Sequence, residues 1–307
     1  MTQTRITILL CTFNGAAYLE EQLQSYLAQT HEAWDLWISD DGSTDGTHAI
    51  LDRFCRDNSI GRDIRILDGP RQGSTANFMT LLCQPELPLG PVALSDQDDV
   101  WMPQKLSRAL AALEQAAGVA LYGAQSLHTD HSLRVVGQSI PMPRAPCFGN
   151  ALVQNIVSGH SAALSADAMQ LVRRAGVPRT VPYHDWWLYQ LVSGAGGTVV
   201  IDPEPVLFYR QHKSNAMGAH RGMPAHINRL KMIIEHHFAG WFTANIAALT
   251  LVEHLLSAPN KATLAELRAH SRHRRFGRAL AFARCGIRRQ RWAATAFIYF
   301  AVILGRA

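Results

Sequence analysis

Short β-rich runs alternate with helix-period segments through the first hundred residues, and this rhythm narrows the fold more than any other feature of the chain. Ile6-Thr7-Ile8-Leu9-Leu10-Cys11 has the β-branched character of a strand and is broken by Asn14-Gly15. Leu19, Leu23, Tyr26 and Leu27 then recur at helical spacing, with Glu20 and Glu21 in a first turn whose dipole favours acidic groups. Strands are expected at 34–39, 64–67 and 91–94, and helices at 47–55, 77–83 and 104–117. Such alternation implies right-handed crossovers and a mostly parallel central sheet, an α/β fold. Ligands of these sheets bind beyond the carboxyl ends of the strands, where Thr12-Phe13-Asn14, Asp40-Asp41 and Asp96-Gln97-Asp98 fall. Past residue 119 the pattern loosens into short strands at 120–124, 198–201 and 205–209 and a helix at 166–175. Beyond 225 only helix signals remain.

The chemistry of the chain concentrates in the acidic loop after the fourth strand. Ser95-Asp96-Gln97-Asp98-Asp99 sets three carboxylates within four residues, directly behind the apolar Val92-Ala93-Leu94. Like charges this close repel and are costly to desolvate, so the loop calls for a counter-charge. A hard divalent cation holding a phosphate meets that need; a solvated acidic turn capping the helix near Pro103 is the other reading. Asp40-Asp41-Gly42-Ser43-Thr44-Asp45-Gly46 likewise reads as a helix-capping turn or as an acceptor for ligand N–H and O–H groups. Asp185, ahead of Trp186-Trp187-Leu188, has the setting of a helix N-cap.

Thr12-Phe13-Asn14-Gly15, Gln29-Thr30, the run from Ser39 to Gly46 and the run from Ser95 to Trp101 occur in an order and spacing that resemble those of family-2 glycosyltransferases. The resemblance covers about residues 5–217 and is nearest to the bacterial rhamnosyltransferase-like branch, which has the GT-A fold. It implies a nucleotide-sugar donor whose nucleoside is held by Thr12, Phe13, Asn14 and Asp41. By the same resemblance Asp96 contacts the ribose or shares a metal, and Asp98 ligates Mg²⁺ or Mn²⁺ on the diphosphate. Arg71, ahead of Gly73, is a candidate phosphate contact, with an exposed loop arginine as its other reading. Asp185 stands where the family carries its catalytic base, the carboxylate that takes the acceptor hydroxyl's proton in an inverting displacement. Tyr209-Arg210-Gln211-His212-Lys213-Ser214-Asn215 is similar to a run in the same branch, which assigns His212 to the metal or diphosphate and Arg210 to offsetting its charge. Gly159 matches the loop lining the donor-sugar pocket, one of Trp186 and Trp187 is a candidate wall for a sugar face, and Asp99 is read as structural.

The activity implied is metal-dependent, inverting transfer of a sugar to a hydroxyl of a cell-surface glycan or lipid-linked acceptor, with dTDP-rhamnose as the branch's suggestion for the donor. Two alternatives stay open. A nucleotidyltransferase would want a Gly-rich phosphate loop near its first strand, which Thr12-Phe13-Asn14-Gly15 lacks. A non-catalytic nucleotide-sugar-binding protein of the same fold would not need a carboxylate at the position of Asp185.

Charge divides the chain. Residues 226–307 hold 13 Lys and Arg against 3 Asp and Glu, a formal +10, and the preceding 225 hold 16 against 21, or −5. A quarter this basic implies a partner of its own. Its arginines, from Arg268 to Arg291, are mixed with Leu264, Leu267, Phe276, Leu280 and Phe282, and the uncharged run 292–304 follows. That run is shorter than the roughly 20 residues a membrane span needs. An anionic membrane surface is the expected partner; the other reading is a helical tail packed on the catalytic domain with its arginines solvated. No nucleic-acid motif accompanies the charge, so no nucleic acid is expected. The organisation expected is a GT-A catalytic domain over 1–222, with a nucleotide-binding half at 1–103 and an acceptor half at 104–222, and a helical basic region over 223–307. The five cysteines form no CxxC pair and the N-terminus has no signal-peptide pattern, which suits a cytoplasmic protein peripheral at the inner face of the membrane.

Overall fold

The computed structural model describes residues 3–212, 237–270 and 275–304. Four parallel strands, β1 (Ile6–Thr12), β2 (Trp34–Asp40), β3 (Ile64–Asp68) and β4 (Val92–Ser95), lie in the order β3-β2-β1-β4. Helices α1 (Leu19–Leu27), α2 (Thr47–Asn58) and α3 (Ser74–Leu82) link them. Every residue of β1 and β2 is buried, as befits strands covered on both faces. Because β2 and β4 flank β1 on opposite sides, the strand order reverses there. The crevice beyond β1 and β4 is the place where such sheets take their ligands.

The chain continues through β5 (Val100–Trp101), α4 (Lys105–Ala116), β6 (Ala120–Thr129), β7 (Val135–Gln138), α5 (Phe148–Ala151), β8 (Ala163–Leu164), α6 (Ala166–Ala175), α7 (His184–Gly194) and β9 (Thr198–Arg210). The sheet extends as β4-β8-β6-β9-β5, with β7 paired to β6; β8 is antiparallel to both its neighbours and β6 runs parallel to β9. Where the sequence suggests two short strands at 198–201 and 205–209, there is one strand. Its register against β6 slips on either side of the Gln125–Pro205 pair, where a proline without an N–H can be accommodated.

Alternation along the central strands sends Leu9, Trp37 and Leu94 to one face and Ile8, Leu10, Leu36 and Ile38 to the other, giving a core on each side of the sheet. The C-terminal helices α8 (His237–Leu251), α9 (Ala258–Ala269), α10 (Arg275–Arg284) and α11 (Trp292–Ile303) contribute Leu249, Leu264, Phe282, Ile298 and Val302, and the turn between the last two contributes Ile287, to the same cluster as Trp187 and Leu188 of α7. The described helices of the basic region thus pack on the α/β domain. The boundary placed between 222 and 223 lies outside the described residues, as do Lys213, Ser214, Asn215, Arg272 and Arg274. Among the described residues no helix is long and apolar enough to cross a membrane.

Candidate functional site

Three loops meet beyond the ends of β1, β2 and β4. The first is fastened to both others. The Gln97 side chain accepts from the Phe13 N–H (2.8 Å) and donates to the Phe13 carbonyl (2.9 Å). Asn14 adopts φ +49°, donates its N–H to Ser43 Oγ (2.8 Å) and accepts from the Thr44 N–H (2.8 Å). A Cβ on Gly15 would lie 2.3 Å from Gln97 Oε1, so a side chain there would displace the Gln97 amide from Phe13. Phe13 itself remains 55% exposed, its ring free for a ligand.

In the second loop the two aspartates divide the work. Asp40 accepts from Thr12 Oγ1 (2.7 Å), Ser43 Oγ (2.6 Å) and the amides of Ser43 (2.7 Å) and Gly42 (3.1 Å). Burial alone would raise its carboxyl, but these hydrogen bonds hold it below the ordinary value. Asp41 accepts from the amides of Arg71 (2.6 Å) and Gly73 (2.7 Å), which fixes a turn where Arg71 stands at φ +58° and Gly73 at φ +89°. The predicted nucleoside contacts Thr12 and Asp41 are therefore engaged in ordering loops, while the Arg71 side chain is exposed and lies against Gly42.

The third loop brings the acids together. Burial, then the charges of Asp98 and Asp185, push the Asp96 carboxyl up to about 7, with Lys105 acting in the opposite direction. Asp98 Oδ2 lies 2.7 Å from His212 Nε2, and the His212 ring stacks on Tyr18 at 5.1 Å. Asp99 is fully buried; Oδ1 accepts from the Arg210 N–H (3.3 Å) and Oδ2 has no partner among the described residues. Beneath it the buried Lys105 ammonium donates to the His160 carbonyl (2.5 Å) and sits 3.4 Å over the Trp101 ring. Burial pushes the Lys105 ammonium well below its ordinary value, against the pull of Asp99 and Asp96. Burial and the nearby Lys105 and His128 charges push His160 down to about 3, so its ring is neutral. Ligand atoms of Asp96, Asp99 and His160 lie within 4.8 Å of one another.

Asp185 occupies the first turn of α7, with Tyr183 at the N-cap instead. Its Oδ2 accepts from the Gly159 N–H (3.0 Å) and its Oδ1 from the Trp186 N–H (2.7 Å). A Cβ on Gly159 would lie 2.6 Å from His184 Nε2, so only glycine brings that N–H close to α7. Neither tryptophan forms a sugar wall: Trp187 is fully buried, and Trp186 is 5% exposed with its indole N–H given to the Ala151 carbonyl (2.6 Å).

Arg210 also departs from expectation. Its side chain is 2% exposed, donates to the Asp98 carbonyl (3.1 Å), the His131 carbonyl and Glu21, and covers the Tyr18 ring at 4.5 Å. It braces the acidic loop through these contacts. Arg210→Met is expected to lower stability by about 1–3 kcal/mol, because buried carbonyls lose their donor; denaturant melts of the metal-free protein check this.

The structure thus assembles Asp96, Asp98, Asp185 and His212 in one crevice, with Phe13 exposed beside it. Arg71 stays on an exposed turn. Gln97, Lys105 and His160 are contributors that the sequence reading missed.

Residues 7–156 match the family described as Glycosyl transferase family 2. The chain is 26% identical over 229 residues to the dTDP-rhamnosyl transferase RfbG of Shigella flexneri, covering 73% of this chain and 78% of that protein. Its fold is similar to S. aureus TarS 1-349 in complex with UDP-GlcNAc, with a TM-score of 0.55 and 14% identity over 86% of this chain and 87% of the other. It is also similar to the mannosyltransferase PcManGT from Pyrobaculum calidifontis in complex with GDP-Man and Mn²⁺, with a TM-score of 0.55 and 18% identity over 99% and 87% of the two chains.

Proposed function

We propose that the chain is a glycosyltransferase of family 2, with the GT-A fold, that moves a sugar from a nucleotide-sugar donor onto an acceptor hydroxyl with inversion. The observation that carries this reading is the meeting of Asp96, Asp98 and Asp185, from loops nearly ninety positions apart, where Asp98 and Asp185 both raise the carboxyl of Asp96. Negative charge concentrated in this way suits a bound cation.

The residues fit a hard divalent ion such as Mg²⁺ or Mn²⁺. Asp98 and His212 present donor atoms 2.7 Å apart. Asp96 would supply a third donor. It is shared with a second grouping in which Asp99 Oδ2 and His160 Nε2, both buried, have no partner among the described residues. When bound, the ion would stabilise the charge that develops on a leaving nucleoside diphosphate.

The protein's own groups do the rest. Asp185 takes the proton from the attacking hydroxyl, and the Gly159 N–H orients its carboxylate and lines the sugar side of the crevice. The exposed Phe13 ring offers a stacking face for a nucleobase, and Asn14 and Asp41 shape the walls through the turns they order. A single carboxylate base implies one displacement, hence inversion. Likeness to RfbG makes dTDP-rhamnose the donor to try first, and a cell-surface glycan or lipid-linked hydroxyl is the acceptor class we propose from the family resemblance of the motifs. The test is release of nucleoside diphosphate from dTDP-rhamnose, UDP-GlcNAc and GDP-mannose, with Mn²⁺ and with chelator. Turnover of one donor, in Mn²⁺ only, is expected; binding of none, or equal turnover in chelator, refutes the reading.

A further inference from the structure

Helix α11 is apolar on two sides. Ile298, Ala301 and Val302 enter the core, whereas Trp292, Ala296 and Phe300, at four-residue steps, lie on the opposite side. Trp292 is 76% and Phe300 57% exposed. With Arg144, Thr295, Tyr299 and Ile303 they line an open groove of about 530 Å³. The packed neighbour α10 exposes Phe276 and Leu280, one turn apart. A soluble surface seldom leaves so much aromatic and aliphatic area in one region without a partner.

The charge around it has one sign. From residue 267 to 307 the sequence contains ten arginines and no Asp or Glu. Arg144 on the groove, and Arg288 and Arg291 just ahead of α11, are exposed.

We propose that the α11 groove and its arginines are a docking surface for an anionic phospholipid bilayer. Trp292 and Phe300 enter the acyl boundary, and Arg144, Arg288 and Arg291 meet lipid phosphates. The charge complementarity selects an anionic partner, and the depth of exposed apolar surface selects one with a hydrocarbon interior. Nucleic acid satisfies the first condition and leaves Phe300 and Leu304 in water. At about 18 Å, from 1.5 Å per residue, α11 lies along such a surface and does not cross it. Indole rings and arginines together suit the headgroup level, where an apolar body and a polar or charged end are both satisfied. None of these residues belongs to the acidic crevice, so the proposal stands or falls without any sugar donor.

Vesicle co-sedimentation of the full chain tests it, using phosphatidylglycerol–phosphatidylcholine and pure phosphatidylcholine vesicles at low and high salt. Binding is expected to the anionic vesicles only, weakening as salt rises. Trp292→Ala with Phe300→Ala should weaken it at least about tenfold, and Arg144→Gln with Arg288→Gln and Arg291→Gln about 100-fold. Both variants should keep the wild-type melting temperature and donor turnover. Failure of the wild type to bind anionic vesicles overturns the proposal, as does binding that survives both variants. So does displacement of the protein from vesicles by RNA when the aromatic variant binds as the wild type does. Should the aromatic variant misfold, the arginine variant and the lipid and salt dependence of the wild type still decide.

Discussion

Asp185→Asn is expected to slow sugar transfer by about 10²–10⁴-fold while leaving donor affinity within a few-fold of wild type. Asparagine keeps the side-chain oxygen that accepts from the Gly159 N–H at 3.0 Å, and it keeps the volume in the first turn of α7, so the local geometry persists. What it loses is basicity. The acceptor oxygen must then attack with its proton still attached, and the cost falls on the transition state and not on the bound ground state. Single-turnover rates beside donor affinity by calorimetry separate the two. If the variant transfers sugar at the wild-type rate, another group is the base. If affinity and rate fall together, Asp185 is serving the donor site.

The second large effect follows from Asp96. Its carboxyl stands at about 7 in the folded chain against 3.8 ordinarily. The folded protein therefore keeps a proton that the unfolded chain has already released. For the metal-free protein this reverses the usual carboxylate behaviour: stability should fall as pH rises from about 4 to about 7. Asp96→Asn removes that penalty and should be the more stable form near pH 8, by about 1–2 kcal/mol after the shared charge of the three acids and solvent screening are allowed for. Near pH 4 the two should melt alike. Mn²⁺ should invert the order, stabilising the wild type at the higher pH, where Asp96 can ionise to bind it, and the variant much less. Thermal melts in chelator and in Mn²⁺ at both pH values give the comparison. Identical melting of the two proteins in chelator near pH 8 would remove the basis for the shift.

The parts of the fold that were legible are those built from local pattern. β1 to β4 each announce themselves as apolar runs ended by polar turns, and the acidic loops fall at their ends because strands stop where backbone must meet a ligand or water. β5 and β8, with two residues each, are too short to show a period and exist through pairings such as Val92 with Leu164, far apart in the sequence. α3 begins at Ser74, three residues before the expected start, and that turn was hidden because Ser74-Thr75-Ala76 carries little apolar signal; Thr75 is instead fastened to the Pro182 carbonyl. In the site, the pairing of Asp98 with His212 spans 114 positions and was visible only through the likeness of whole motifs to a family. The burial of Arg210 was hidden for the same reason: its partner Glu21 lies 189 positions away, in a helix whose acidic first turn looked sufficient in itself. Gln97, between two aspartates, looked passive, although its amide joins the first loop to the third. Nothing local marks Lys105 as buried, since a lysine opening a helix normally reaches water.

The helix that carries Asp185 is gripped at both ends by the C-terminal quarter. Trp241 meets Tyr183 at 5.6 Å and Trp186 at 6.2 Å near its start, and Asn260 donates to the Ser193 and Gly194 carbonyls at its end. A deletion after residue 265, the simplest way to ask what the tail does, would also strip Phe282, Ile287 and Ile298 from the core that backs α7. Loss of activity in such a truncation would therefore say nothing about where the enzyme works; only point substitutions on the outer side of the last helix can. The same continuity makes the carboxylate and the last helix parts of one lever. Any plane on which that helix comes to rest sets the angle at which the crevice faces its acceptor.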